Sequence, residues 1–339
     1  MGSSSRQTRR ERIVRAAEAR FGEAVLDVTM PGGESRSSCR LHLAHRTVIA
    51  TLRPNFRRAH LEAFVLKKLR PFTQDAPECL GIDGEIVFQS DIGTRRLNVE
   101  IAKVGQSRRR DLAGEAVSKI FRIQRAAMKA GLNTQMPHLG VNVDWISNFT
   151  NAIDALAPLS AGRSAGVDRV ALAEAVQTPA TQFVKWDCRS GNAALDKDDV
   201  LKWFDFEYAG VRHGAEDHAW LIGDEAWPLP PEIMEDLVID AFDPNLSHQI
   251  EAYLDYLGVY VTLHCVQRLK LISKEARKRG WLSKTRVRKY DDAGVHPEFA
   301  GHLCRVGAYF GARQALTTPI GRDFEDAARV FDQMISRAA

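Results

Sequence analysis

Three polar residues have the types and spacing that phosphoryl transfer requires. Asp187 is followed by Asn192 five positions later, and Asp205 comes after two short apolar runs. A carboxylate can face an attacking hydroxyl group and accept its proton, while an amide and a second carboxylate hold Mg²⁺ on the phosphates of a nucleotide. Both proposed metal ligands supply hard oxygen atoms, which suit Mg²⁺. Taken alone, this Asp–Asn spacing is also typical of an ordinary turn between strands. The surrounding elements must therefore distinguish a phosphoryl-transfer site from a turn.

The predicted elements around these residues bring them together. They are a strand, a loop, a strand, an Asp-rich turn and a strand, with the sequences FVKW, DCRSGN, AAL, DKDD and VLKWF. The last two strands form a hairpin, which returns Asp205 to the loop that holds Asp187 and Asn192. Arg189, inside that loop, is placed to reach the transferring phosphoryl group or the acceptor. Glu207 follows Asp205 closely enough to assist at the metal.

The N-terminal part predicts a small sheet and one helix. Residues 24–53 alternate as three strands, and a helix with an apolar face follows over 57–69. The turn PGGESRSS between the first two strands has glycines that let a backbone approach phosphates and side chains that donate hydrogen bonds. Its candidate contacts are Gly32, Gly33, Ser35, Arg36 and Ser37. Such a glycine turn is equally typical of a plain hairpin.

Beyond this sheet the pattern is mainly helical, which predicts an α+β chain of two lobes. The predicted helices lie at about 97–103, 111–130, 168–176, 230–241, 247–279, 296–315 and 322–337, whereas 142–166 has no clear period. The predicted units are an N-terminal helical extension, a small sheet lobe and a helical lobe, at 1–21, 22–92 and 93–339.

Two motifs resemble those of a known family. Lys185–Asn192, K-W-D-C-R-S-G-N, and Trp203–Glu207, W-F-D-F-E, match H-G-D-x-x-x-x-N and I-D-[FW]-[ED] of the aminoglycoside phosphotransferase-like branch of the protein-kinase fold. The resemblance covers about residues 25–225. It implies a two-lobed fold, ATP and Mg²⁺, with a small molecule that carries a hydroxyl group as acceptor. It also implies Asp187 as the catalytic aspartate and Asn192 and Asp205 as the metal ligands.

The nucleotide-binding residues that the resemblance implies include one departure. The glycine turn would cover the phosphates, and Gln89–Gly93, with Asp91 inside it, would be the hinge that meets the adenine. The family's third strand carries a lysine that pairs with a glutamate, here Glu62, but Thr51 stands in its place and Arg53 shares its strand face. Arg53 replaces the lysine, or Mg²⁺ and backbone amides suffice, or the chain is a pseudokinase with a regulatory role.

More closely, the chain resembles the branch that phosphorylates the anomeric hydroxyl of N-acetyl amino sugars, which often lacks that lysine. Gln267–Lys270 matches its Q-R-x-x-K helix, but Cys188 and Arg189 replace the aromatic residue and histidine of its D-Y-H-x-x-N loop. In that branch these positions lie beside the acceptor, so the departures leave the identity of the acceptor undetermined. We interpret Cys188 as a packing residue, Asp217 as a support of the loop backbone and Asp224 as a plain helix-end carboxylate.

A basic stretch has three interpretations. Residues 268–289 hold ten Lys and Arg but one acid, Glu275. The stretch is a solvated helix face, a wall that attracts an anionic acceptor or nucleotide, or a nucleic-acid groove. Aromatic residues are sparse there, so base stacking and nucleic acid are not expected.

Composition sets the remaining expectations. The 339 residues carry a net charge of +4 and five cysteines without a C-x-x-C pair, which supports neither a disulfide framework nor a zinc site. No apolar run has the ~18 residues of a membrane span, and the N-terminus lacks the apolar core of a secretory signal. The expected compartment is the cytoplasm; the oligomeric state is not predicted.

Overall fold

The N-terminal part is a twisted sheet with one helix on each side. The computed structural model describes residues 3–31, 33, 36–177, 181–246, 248–290 and 292–338. Five antiparallel strands have the order β1-β2-β3-β5-β4. They are Asp27–Thr29 (β1), Ser38–His42 (β2), Thr47–Leu52 (β3), Cys79–Asp83 (β4) and Ile86–Ser90 (β5). The flanking helices are Ser3–Phe21 (α1) and Phe56–Leu69 (α2).

Alternation along β2, β3 and β5 gives this sheet two different faces. The apolar side chains of one face pack with Ile13 and Ala17 of α1, and they are Cys39, Leu41, Val48, Ala50, Ile86 and Phe88. The opposite face carries mainly polar residues and forms one wall of a cleft; these are Ser38, Arg40, Ile49, Thr51 and Gln89. Phe88 therefore lies in the core of the sheet lobe.

The rest of the chain is mainly helical. Its helices are Leu97–Lys103 (α3), Gln106–Lys129 (α4), Leu132–Gln135 (α5), Val143–Thr150 (α6), Arg169–Val176 (α7), Ala215–Ile222 (α8), Pro231–Ala241 (α9), Ile250–Arg279 (α10), Lys284–Tyr290 (α11), Pro297–Gly311 (α12) and Thr318–Ala338 (α13). Buried residues lie on every side of the middle of α10, so it is the central helix of the core, between α8 and α12. None of the helices in the described part of the chain has the length and apolar character to cross a membrane.

Five short strands complete the chain. They are Arg95–Arg96 (β6), Gln182–Val184 (β7), Ala193–Leu195 (β8), Leu201–Trp203 (β9) and Gly210–Arg212 (β10). β8 and β9 form the predicted hairpin, and β6 joins it on the outer side. β7 pairs with β10. The loop between β7 and β8 and the segment after β9 therefore both connect the β7–β10 pair to the sheet of β6, β8 and β9.

Most predicted helices are confirmed, with shifts at their ends and three omissions. The unassigned stretch 142–166 forms α6 and two 3₁₀ turns, Asn151–Leu159 and Arg163–Gly166. Helices α5, α8 and α11 were not predicted. Each has eight residues or fewer, too few for a helical period to stand out.

Candidate active site

The loop between β7 and β8 has an unusual backbone at the residue predicted to be catalytic. Trp186, Asp187 and Asp205 have φ angles of 56°, 106° and 68°, which residues other than glycine rarely adopt. Such conformations cost of the order of 1–3 kcal/mol each and persist where other contacts impose them. The buried carboxylate of Asp217, on α8, accepts hydrogen bonds from the backbone N–H groups of Lys185 and Trp186 at 2.9 and 2.8 Å. Asp217 thus supports the loop backbone, as predicted.

The carboxylate of Asp187 is held at both oxygen atoms. Arg189 Nε donates to Oδ1 at 2.8 Å, and Asn192 Nδ2 donates to Oδ2 at 2.9 Å. Burial acts to raise the pKa of Asp187, but the charges of Arg189 and Lys185 outweigh it and hold the pKa below its ordinary value. Asp187 is therefore ionised at neutral pH, and its carboxylate is fixed in one orientation.

Arg53 is the centre of a cluster of three carboxylates. Its Nε and Nη2 lie 2.7 and 2.6 Å from Glu62 Oε2, and Nη2 is also 2.7 Å from Asp205 Oδ1. Its Nη1 lies 3.3 Å from Glu207 Oε1. Burial acts to lower the pKa of Arg53, but these carboxylates outweigh it and raise the pKa above its ordinary value. Arg53 therefore occupies the centre of the site as a permanent cation.

Glu62 and Thr51 complete the surroundings of Arg53. The Glu62 side chain has no exposed surface, and its Oε1 accepts a hydrogen bond from the backbone N–H of Phe206 at 3.0 Å. The Thr51 hydroxyl is 2.9 Å from that of Ser38 on the next strand. Thr51 and Arg53 line the same cleft, which agrees with the shared strand face expected from the sequence.

The cleft between the polar face of the sheet and the β8–β9 hairpin has a volume of about 260 Å³. The predicted site residues that line it are Arg36, Ser37, Thr51, Arg53, Gln89, Asn192, Asp205 and Glu207. Asp187 and Arg189 do not line it, but the hydrogen bond between Asn192 and Asp187 connects them to it. Gly32 and Ser35 lie outside the described residues.

The predicted hinge is fixed by Arg40. Its Nε and Nη2 donate to both oxygen atoms of Asp91, at 2.6 and 3.0 Å, and Nη2 also donates to the carbonyl of Gly93 at 2.8 Å. The backbone N–H of Gly93 donates to Asp91 Oδ1. The side chain of Asp91 therefore positions the hinge and does not line the cleft.

Gln89 lines the cleft with an amide nitrogen that makes no hydrogen bond to the described residues. Its side chain is 5% exposed, and its Nε2 has no hydrogen-bond partner among the described residues. A buried polar group without a partner costs about 1–3 kcal/mol, which a bound ligand can recover.

The glycine turn is linked to the helical lobe. Gly33 has a φ of 85°, and the N–H of Arg36 donates to its carbonyl at 3.0 Å. Arg36 Nη2 donates to the carbonyl of Tyr290, at the end of α11, at 2.6 Å. This turn therefore lies across one end of the cleft.

No protein-family model matches the chain, and no curated protein matches it. Solved structures match most of its length. A choline kinase from Cryptosporidium parvum has 12% identity and a TM-score of 0.53, with 96% of this chain and 97% of that chain covered. The wild-type aminoglycoside 2'-phosphotransferase-IIIa in complex with GDP has 13% identity and a TM-score of 0.52, with 84% and 97% covered. The spectinomycin phosphotransferase APH(9)-Ia, in complex with ADP and spectinomycin, has 10% identity and a TM-score of 0.50, with 93% and 98% covered.

The chain has the fold of these phosphotransferases. At these identities the likeness shows the fold alone. The α+β, two-lobed kinase-like fold and the resemblance to the aminoglycoside phosphotransferase-like family, both inferred from sequence, are confirmed at that level.

Within this phosphotransferase fold, the metal ligands predicted from sequence fit Mg²⁺. Asn192 directs its amide nitrogen to Asp187, so it can present its amide oxygen to a metal. Asp205 Oδ1 is buried and accepts no well-aligned hydrogen bond among the described residues, although Arg53 Nη2 lies 2.7 Å away. A carboxylate oxygen that lacks hydrogen bonds, beside an amide oxygen, is a donor set suited to a hard cation.

Asp224 has a role that the sequence interpretation missed. It lies just after α8, as a helix-end carboxylate would, but its Oδ2 accepts hydrogen bonds from both the N–H and the hydroxyl of Ser190, inside the loop between β7 and β8. The interpretation as a plain helix-end carboxylate was therefore wrong. Because α8 was itself not predicted, the sequence offered no signal that its end meets this loop. Cys188 is buried, and burial raises the pKa of its thiol, which agrees with a packing role.

Proposed function

We propose that this protein transfers the γ-phosphoryl group of ATP to a hydroxyl group of a small molecule, with Mg²⁺. One observation supports this most: Asp187, Asn192 and Asp205 meet beside a cleft of about 260 Å³, with Asp187 held ionised. In this proposal, residues 22–92 form the nucleotide-binding lobe, 93–339 form the catalytic and acceptor-binding lobe, and 1–21 are a helical extension.

Asp187 would act on the acceptor. Its carboxylate orients the hydroxyl group and accepts its proton as the bond from the acceptor oxygen to the γ-phosphorus forms and the bond from that phosphorus to the leaving ADP breaks. Arg189 and Asn192 fix the carboxylate, so little reorganisation is needed in the transition state. Asn192 and Asp205 would hold Mg²⁺, which supplies positive charge to the phosphate oxygens.

Arg53 would replace the family's lysine. The planar guanidinium of Arg53 contacts Glu62 and Asp205 at the same time. The ammonium group of a lysine has a single charge centre and is less suited to bridge two carboxylates. Because Arg53 lines the cleft, it can also reach a phosphate oxygen. Gln89, Gly33 and Arg36 would contact the base and the phosphates in this scheme.

A second candidate is a nucleotide-binding pseudokinase. The observation that favours it is the contact of Arg53 with Asp205, because this cation already neutralises part of a proposed metal ligand. ATP would then bind without a requirement for Mg²⁺.

Two measurements test these proposals. The first is ADP release with Mg·ATP and a panel of sugars, amino sugars and aminoglycosides. Asp187→Asn should lower the rate by at least ~100-fold, the contribution of a positioned base, while ATP binding remains. The matched control is Asp198→Asn, because Asp198 is an exposed carboxylate of the Asp-rich turn. Equal rates for the two variants would remove Asp187 from the mechanism.

The second measurement is thermal stability with ATP, with and without Mg²⁺. The phosphotransferase should be stabilised more by Mg·ATP than by ATP alone, and Asp205→Asn should abolish that difference. A stabilisation by ATP that does not depend on Mg²⁺ would instead favour the pseudokinase.

A further inference from the structure

A four-residue loop after α8, Gly223–Ala226, connects the catalytic loop to three basic or potentially basic side chains. Arg268 donates to both oxygen atoms of Glu225 at 2.6 and 3.1 Å. Arg288 lies at the carbonyl of Ala226, at 3.4 Å. His264 packs so closely on Gly223 that a side chain there would lie 2.5 Å from its ring. Asp224 of the same loop binds Ser190, so the Gly223–Ala226 loop links all three side chains to the catalytic loop.

Arg288 is the arginine of this group that forms no salt bridge with any residue that the structure describes. It is half-buried, with its guanidinium 4.9 Å from the ring centre of Phe299. Its Nε is buried and has no hydrogen-bond partner among the described residues. A buried donor without a partner costs free energy, which an anionic ligand that accepts from Nε can recover.

A second unpaired donor lies in the same region. Trp220 Nε1 is buried and has no partner within the described ranges, and its ring meets His264 edge-on at 4.5 Å between ring centres. His264 Nε2 is likewise buried without a partner there. An indole N–H and an arginine Nε–H can only donate, so a partner for either group must supply an acceptor atom.

The carboxylates that the structure describes in this region are engaged by other groups, and none of them forms a salt bridge with Arg288. Glu225 is bound by Arg268 and by the N–H of Gly294. Asp224 accepts from Ser190 and from the N–H of Ala226, and Glu298 is bound by Lys284. Asp224 and Glu298 act on the charge of Arg288 only through space, so a ligand at Arg288 would displace no direct ion pair among the described residues.

The nucleotide phosphates are a poor explanation for Arg288. The cleft that would hold them has its own arginines, Arg36, Arg40, Arg53 and Arg96, and Arg288 does not line it. Arg288 is instead carried by α11, whose sequence KTRVRKY has four cations and no acid. Its backbone carbonyl accepts a hydrogen bond from Asn98 on α3 at 2.8 Å, which fixes α11 beside α3.

We propose that the acceptor of this site is an anion: a small hydroxyl compound that also carries a phosphate or a carboxylate, bound by Arg288 next to the Gly223–Ala226 loop. This inference rests on the proposed function. It selects the anion-attracting interpretation of the basic stretch 268–289.

The charge that the site prefers in its acceptor is tested with four matched compounds. They are a hexose, the corresponding hexuronate, the hexose 6-phosphate and the amino hexose. Specific ADP release should be highest for an anionic member, and the better of the two anions distinguishes carboxylate from phosphate. A preference for the neutral or the cationic sugar would overturn the proposal.

Two variants on the same helix test the residue. Arg288→Gln should raise KM for the preferred anion by about 10-fold or more, the range expected for a lost charged hydrogen bond, with little change for the neutral hexose. Arg286→Gln removes the same charge from an exposed position on α11 and should leave both KM values unchanged. If both variants raise KM for the anion equally, the anion responds to the overall positive charge of α11 and not to a contact with Arg288, and the proposal fails.

A binding measurement separates this proposal from the proposed function. Inorganic phosphate, added to protein saturated with Mg²⁺ and a non-hydrolysable ATP analogue, should raise the melting temperature of the wild type and of Arg286→Gln but not of Arg288→Gln. No shift, or the same shift in all three, would overturn the anion site. If the nucleotide analogue itself does not bind, the proposed function fails, and the phosphate titration without nucleotide still decides the role of Arg288.

Discussion

Replacement of Arg53 by Met should destabilise the fold strongly, because it leaves Glu62 buried without its cation. The Arg53 side chain is 8% exposed and that of Glu62 is 0% exposed, so water cannot replace the lost contact. Removal of one partner of a buried ion pair costs about 3–5 kcal/mol. The expected loss in the free energy of unfolding is therefore about 3–5 kcal/mol, a large part of the total stability of a typical domain.

The companion change Glu62→Gln tests whether this cost comes from the uncompensated carboxylate. A glutamine keeps an oxygen for the N–H of Phe206 and carries no charge. The double variant should therefore be more stable than the sum of the two single losses predicts, by at least ~1.5 kcal/mol, within the coupling range of contacting residues.

Urea unfolding of the wild type, the two single variants and the double variant measures these energies. The control is the exposed pair Arg12–Glu85, whose side chains are 50% and 35% exposed, and Arg12→Met should cost no more than about 1 kcal/mol. If Arg53→Met costs as little as Arg12→Met, or if the losses simply add, the cluster does not hold the site together as inferred.

Two further predictions concern the core and the support of the catalytic loop. Burial lowers the pKa of His218 to about 4, below the ~6.5 of an unfolded histidine, so between those values the unfolded chain binds a proton that the folded chain does not, and stability falls as pH falls. Between pH 6.5 and 5 this amounts to about 1.5 kcal/mol. Urea unfolding at both pH values should lose that part of its pH dependence in His218→Gln but keep it in the exposed His45→Gln. In Gly294→Ala the new Cβ would lie 1.9 Å from Glu225 Cγ, which Arg268 holds in place, so the loss should reach about 1–3 kcal/mol; in the control Gly166→Ala, which meets nothing within 4 Å, it should stay within about 0.5 kcal/mol. An unchanged pH profile in His218→Gln, or a tolerated Gly294→Ala, would contradict the burial and the packing on which these values depend.

The sequence was most informative where local pattern and chemistry agree. The β8–β9 hairpin could be predicted because short apolar strands flank an Asp-rich turn, and this hairpin is what brings Asp205 to Asn192. The helix that carries Glu62 could be predicted from its apolar face, and Asn55, whose side chain accepts from the N–H of Arg58, begins it. These features depend on neighbours within a few positions.

Features that depend on distant contacts could not be predicted. The connection of Asp224 to Ser190 spans 34 positions, and that of Arg36 to Tyr290 spans 254. The charge of Arg288 can be read from the sequence. That its Nε lacks a hydrogen-bond partner among the described residues follows from where α11 meets α3 and could not be predicted. Long-range contacts of this kind decide which charges are compensated, and hence which remain for a ligand.

Arg53 also has a consequence for the order of events in the proposed reaction. In the structure its Nη2 lies between Glu62 and Asp205, so the same guanidinium that supports the site neutralises a proposed metal ligand. A divalent cation at Asp205 would approach this guanidinium, and the repulsion is reduced when nucleotide phosphates lie between the two positive charges. We therefore infer that Mg²⁺ binds poorly to the free protein and well together with ATP. Metal binding would therefore depend strongly on nucleotide because Arg53 lies beside Asp205. The phosphates would supply negative charge to both the guanidinium and Mg²⁺.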